Sequence, residues 1–113
     1  MKYMHPDLAD RVDTPHGIEA RKIHENDHVQ VMYLKLAPGE ALKPHATPVD
    51  VFFYVLEGRG TVTIGGESVE LEAEAIVDSP MEMTHWWRNT GDTILRLLVV
   101  KTPRPGAPAR MVD

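Results

Sequence analysis

Residues 61–71 read TVTIGGESVEL, two runs of strand-forming residues joined by Gly65-Gly66. Glycine adopts positive φ without steric cost, and a two-residue type I′ connection needs positive φ at both central positions. The stretch therefore reads as a β-hairpin with arms Thr61–Ile64 and Glu67–Leu71. In the second arm Val69 and Leu71 alternate with Ser68, Glu70 and Glu72. That alternation predicts an antiparallel strand with its apolar side chains turned inward and one wet side.

Working outward, the same grammar repeats. Downstream, Ile76-Val77 is a brief strand stopped by Asp78-Ser79-Pro80, and His85–Asn89 is another. The chain turns at Asn89-Thr90-Gly91-Asp92 into Thr93–Lys101, TILRLLVVK. Upstream, Val51–Leu56 (VFFYVL) is a continuous apolar run, the mark of a strand buried on both faces or covered by a partner subunit. Val29–Leu36 places Met32, Leu34 and Leu36 on one face and ends at Pro38-Gly39, and Ile18–Ile23 is expected to pair with it across His24–His28. The tail, residues 102–113, carries Pro103, Pro105 and Pro108 and is expected to run extended along the surface or over a neighbouring subunit. Nine prolines and eight glycines punctuate the 113 residues, and about eight short strands at regular spacing indicate a single all-β domain, a barrel or sandwich.

Composition limits the chemistry. The hydrophobic fraction of 42% with 26% charged residues suits a folded globular chain. Twelve Lys and Arg against 17 Asp and Glu leave a net charge of −5, so no positive field exists for a phosphate backbone and nucleic-acid binding is not expected. There is no cysteine, which removes disulfides, thiolate metal sites and a Cys nucleophile together. MKYMHPDLAD lacks an apolar core of signal-peptide length and no run of about 18 apolar residues occurs, so a cytoplasmic protein without membrane contact is the expectation.

Residues 38–60, PGEALKPHATPVDVFFYVLEGRG, resemble the first motif of the cupin family (about residues 39–58): Gly39, five residues, His45, one residue, Thr47, and Gly58 closing. Pro80, His85 and Asn89 keep the spacing of the second motif (about 74–89), with Glu82 at its usual Gly. The resemblance implies a single-domain cupin over residues 1–113, a jelly-roll β-barrel or double-stranded β-helix. It also implies a metal held by His-x-His, a Glu seven residues before the closing Gly, and a His of the second motif. Here Thr47 occupies the second His position and Val51 the Glu position, so His45 and His85 remain as ligands. Residues two apart on a strand project to one face, which is why His-x-His suits an interior metal.

Two imidazoles fall short of the roughly three protein ligands of a catalytic metal. Asp50 and His28 are the candidates for a third, although strand parity turns Asp50 away if Val51, Phe53 and Val55 point inward. The metal would be iron, manganese, nickel or zinc. Thr47, Phe53, Trp87 and Met83 are the candidate pocket residues, Trp87 sharing the inward face of His85 while Trp86 points out. Core filling explains Phe53 and Trp87 equally well. His24-Glu25-Asn26-Asp27-His28 satisfies H-E-x-x-H, but that zinc-protease pattern needs a helix and a strand follows at once.

The expected function is binding of a divalent metal and a small polar molecule in the barrel, with metal-dependent oxygenase, isomerase or lyase chemistry. The alternative is a non-catalytic binding or structural module. A homodimer is expected from the two-faced hydrophobicity of Val51–Leu56.

Overall fold

A computed structural model describes residues 1–112. After a single 3-10 turn at Pro6–Leu8, the chain forms strands β1 (Glu19–Asn26), β2 (Val29–Leu36), β3 (His45–Ala46), β4 (Asp50–Glu57) and β5 (Arg59–Ile64). They are followed by β6 (Glu67–Glu72), β7 (Ile76–Ser79), β8 (His85–Arg88), β9 (Leu95–Thr102) and β10 (Arg110–Met111). Two antiparallel five-stranded sheets result, ordered β1-β2-β9-β4-β7 and β10-β3-β8-β5-β6. This is the jelly roll that the cupin resemblance implies, within the barrel-or-sandwich class that the strand pattern predicts. Among the described residues no helix is long and apolar enough to cross a membrane.

Alternation fills the space between the sheets. Leu95, Leu97 and Val99 of β9, Leu34 and Leu36 of β2, Val51, Phe53 and Val55 of β4, and Val62 and Trp87 of the second sheet form one buried cluster. Each row is the inward half of its strand. On the outer face of β4, Phe52, Tyr54 and Leu56 are half-buried.

Gly65 and Gly66 do have positive φ, 58° and 98°, and the hairpin register runs Val62↔Val69 and Gly60↔Leu71. Val69 departs from expectation: it is 48% exposed because β6 is the sheet's edge strand, beyond the reach of the opposite layer. The strand at Ile76 does not stop at Asp78 but continues to Ser79, held by Val51↔Ser79. β1 runs on to Asn26 with an irregularity between Lys22 and His24, leaving a two-residue turn before β2. The tail turns back over its own chain as β10, pairing Arg110↔Ala46 and Met111↔His45; the last position of the expected tail lies outside the described residues.

Two motif positions have structural explanations. Asn89 donates from Nδ2 to the Leu36 and Thr93 carbonyls and accepts from Gly91 N–H, tying together the ends of three segments. Glu82, at the usual Gly, sits at φ 64° in the left-handed region.

Gly58 has φ 85°, and a Cβ there would collide with the Ile94 carbonyl oxygen and reach 3.0 Å from Leu95 Cα. A backbone neighbour cannot swing aside. Gly58→Ala is expected to cost about 3 kcal/mol or more, since strain and clash combine. Gly66→Ala meets nothing within 4 Å and should cost only the conformational strain, about 1 kcal/mol. Urea unfolding of the two variants checks the difference.

Candidate functional site

β3 and β8 are neighbours in the second sheet, and their register pairs His45 directly with His85. Both histidines are buried. His45 Nδ1 lies 2.7 Å from the Lys43 carbonyl, which can only accept, so Nδ1 carries the proton and Nε2 presents a lone pair. His85 Nε2 is 3.2 Å from that lone pair and donates to it. His85 Nδ1 is then an acceptor, and Ser79 Oγ, 2.7 Å away on β7, donates to it. The result is one row of hydrogen bonds, Ser79 to His85 to His45 to Lys43. Thr47 Oγ1 lies 3.4 Å from His85 Nε2 at its side.

The row consists of neutral groups. Burial, then the cost of adding a proton beside His45, Lys101 and His16, pushes the His85 pKa down to about 3. Burial and Lys101 lower that of His45, against the favourable Lys43 carbonyl. A third imidazole joins them: His16, from the segment before β1, packs against His45 with ring centroids 4.7 Å apart and planes tilted by 50°, and accepts from Lys43 N–H through Nδ1. Burial, followed by His45, Lys43 and Lys101, brings His16 to about 4.

His16 lines a cavity of about 390 Å³ between the first sheet, the segment before β1 and the returning tail. Met32, Leu34, Leu42 and Val99 give it an apolar wall, and Lys101 stands on that wall. Lys101 and Thr47 also line an adjoining cavity of about 330 Å³ under residues 105–109. Thus the histidine row meets the open space through His16 and Thr47, with an ammonium nearby.

Of the residues singled out in the sequence, His45, His85 and Thr47 come together. Asp50 does not join them: it is exposed, and its Oδ1 accepts from Met81 N–H at 2.9 Å. His28 is exposed in the β1–β2 turn, where its N–H is bonded to Asn26 Oδ1. Phe53 backs the site from below, edge-on to His85 at 5.1 Å and to Trp87 at 5.8 Å. Trp87 is wholly buried in the core, and its Nε1–H is without a partner among the described residues. Met83 is exposed and packs on Gly65 beside a different hollow, lined by Val62, Ile64 and Val77. Ser79, His16 and Lys101 were not singled out in the sequence. Only Lys101 left a signal: it continues the inward row Leu95, Leu97, Val99 at period two.

A cupin-domain family model matches residues 32–101, which contain β2 to β9 except the first three residues of β2 and the last residue of β9. The chain belongs to the cupin family. Among curated relatives it is similar to the polyketide synthase CurC of Streptomyces cyaneus, 35% identical over 66% of this chain and 49% of that protein. It is also similar to the tetracenomycin polyketide synthase protein TcmJ of Streptomyces glaucescens, 30% identical over 67% and 52% respectively. The chain thus spans about half the length of these relatives. Among solved structures, the polyketide cyclase RemF of Streptomyces resistomycificus superposes with a TM-score of 0.84 over 100% of this chain and 86% of that one, at 22% identity.

The metal that a cupin frame implies finds an incomplete set of donors. The two Nε2 atoms, 3.2 Å apart, have the separation of cis ligands, for two nitrogens about 2.1 Å from one ion lie roughly 3.0–3.4 Å from each other. Beyond that pair the site offers little: among the described residues no group of three His, Asp or Glu side chains is arranged to hold a metal ion. His16 has its Nδ1 lone pair committed to the Lys43 N–H, and an ammonium faces the place of the family's carboxylate, since Lys101 pairs with Val51. The residues present do not fit a resident divalent ion.

The neutral state of His85 makes stability fall in acid. The unfolded chain protonates this histidine near 6.5 and the fold only near 3, so below pH 6.5 the unfolded state binds more protons. His85 stabilises fully above pH 6.5, and its contribution is lost as pH falls toward 3. Between pH 6 and 4 wild type should lose about 1.4 kcal/mol per pH unit through this residue, and His85→Gln should show a shallower acid limb in urea titrations.

Proposed function

We propose that this cupin is an acid–base enzyme for an apolar, carbonyl-rich molecule of polyketide type. The observation that carries the reading is the direct hydrogen bond between two neutral buried imidazoles, one presenting a lone pair and the other an N–H. A substrate that opens this hydrogen bond meets a base, His45 Nε2, and an acid, His85 Nε2–H, at once, the requirement for moving protons at carbon and oxygen together. Burial keeps both groups neutral through the physiological range, so neither function waits on titration.

Ring closure between two carbonyls is the reaction such a pair supports. An α-C–H proton passes to the His45 lone pair. The enolate carbon bonds to a second carbonyl carbon, and the oxygen of that carbonyl takes a proton from His85 Nε2 and becomes a hydroxyl. The proton taken up by His45 then passes across the 3.2 Å contact to His85 Nε2, which returns both imidazoles to their starting tautomers while Ser79 keeps donating to His85 Nδ1. Met32, Leu34, Leu42 and Val99 exclude water from the carbon skeleton. The similarity to two polyketide synthase components and a polyketide cyclase supports chemistry over bare binding.

The test is deuterium exchange at the α-carbons of a 1,5-diaryl-1,5-diketone in D₂O, followed by proton NMR. Wild type should accelerate exchange over buffer, and His45→Gln and His85→Gln should each lower that rate by at least about 100-fold. Variants that exchange as fast as wild type would refute the acid–base reading. Calorimetric titration with Fe²⁺, Mn²⁺, Ni²⁺ and Zn²⁺ supplies the counter-test. Tight one-to-one binding that vanishes in His45→Gln would replace it with metal-dependent chemistry.

A further inference from the structure

Among the described residues, Lys101 is a cation without a counter-charge on the wall of the cavity. It ends the inward row of β9 after Leu95, Leu97 and Val99, and its partners in register are Val51 of β4 and Gln30 of β2. Among the described residues no carboxylate lies within ion-pair distance of its ammonium. The other lysine of the cavity wall differs: Lys22 is neutralised by Glu25 at 3.1 Å. Glu25, itself not on the lining, also accepts from Gln30 Nε2 and is already engaged. Asp13, the acid on the lining, is exposed.

We propose that this cavity selects an anionic ligand, with the Lys101 ammonium receiving the carboxylate, enolate or phenolate of a molecule whose apolar body lies on Met32, Leu34, Leu42 and Val99. A half-buried charge is costly when unpaired and is relieved by an opposite charge in the same low-dielectric space. Every other group facing it leaves that role open: His16 and His45 are neutral, and Thr47 Oγ1, on the adjoining cavity wall with Lys101, adds a hydroxyl donor for a second oxygen. The cupin frame has a carboxylate at the position of Val51, which suits a cation. Here the residue paired with Val51 is an ammonium, so the preference of the site is inverted. The inference rests on the reading of this cavity as the substrate site and adds the charge class of the substrate.

Calorimetry at low ionic strength with 2-naphthoate, 2-naphthol and 2-naphthamide tests it. The amide matches the carboxylate in shape without its charge, and the naphthol, titrated across its own ionisation, separates phenolate from carboxylate as the preferred source. Wild type should bind naphthoate at least tenfold more tightly than naphthamide. Lys101→Met should erase that difference by weakening naphthoate alone, and Lys101→Arg should keep it. Lys101→Met should also melt at a higher temperature than wild type without ligand, because an unpaired charge has been removed. Equal binding of naphthoate and naphthamide by wild type, or no binding of any probe, would overturn the inference without any variant being needed. Charge selectivity absent while His85→Gln still abolishes exchange refutes this inference alone. Charge selectivity present while His85→Gln exchanges normally refutes the acid–base reading alone.

Discussion

The pairing of β4 with β9 governs the rest of the molecule. Seven residue pairs, from Asp50↔Thr102 to Glu57↔Arg96, join the two central strands of the first sheet. Side chains alternate between faces, so this register decides at once which half of each strand is core. With Val51 opposite Lys101 and Phe53 opposite Val99, the inward rows are apolar at the closed end and charged at the mouth. A slip by one residue would bury Arg96 and turn Phe53 to the outside of the sheet. No partial solution exists, which makes the register a strongly specified feature. The irregularity between Val55 and Glu57 falls beyond the core pairs and leaves the site end of the ladder undisturbed.

The histidine row depends on that ladder through β7. Ser79 pairs with Val51, and Ser79 Oγ fixes the tautomer of His85. Phe53, also on β4, closes the underside of His85 edge-on. Two buried imidazoles would be costly if any of their four nitrogens were unpaired. Here each has a partner, and the chain of donors and acceptors runs in one direction only because the Lys43 carbonyl at its end cannot donate. That satisfied arrangement explains how the site keeps two polar side chains in an apolar barrel.

Electrostatics separate this chain from the frame it resembles. Loss of the carboxylate at Val51 removes the strongest attraction for a cation, and Lys101, His16, His45 and His85 all depress one another's protonation or feel the same burial. A site of this kind resists any added positive charge. The same features favour negative charge, for the field of one ammonium in a space shielded from water is far less screened than at the surface. The net charge of −5 comes mostly from exposed carboxylates, of which Asp13 alone among the described residues is on the cavity lining, and it does not cancel that local field.

Most of the fold was legible because hydrophobic alternation and turn glycines are local signals. Gly65-Gly66, VFFYVL and TILRLLVVK each specify a strand or turn from within a dozen residues. The proximity of His45 and His85 was legible from motif spacing, and the parity that argued against Asp50 agrees with its exposed position at the start of β4. Val69 misled because alternation reports the face of a strand and not whether another layer reaches it. Ser79 was hidden in a Ser-Pro turn signal, and His16 belongs to an irregular segment whose approach to His45 depends on the whole barrel. Lys101 is the instructive case. Its inward direction followed from the period-two row that identifies β9, yet lysine at a strand end ordinarily means solvent. A charged residue that continues an apolar parity, at the end of a strand lining a barrel mouth, is read better as part of a site than as part of the surface.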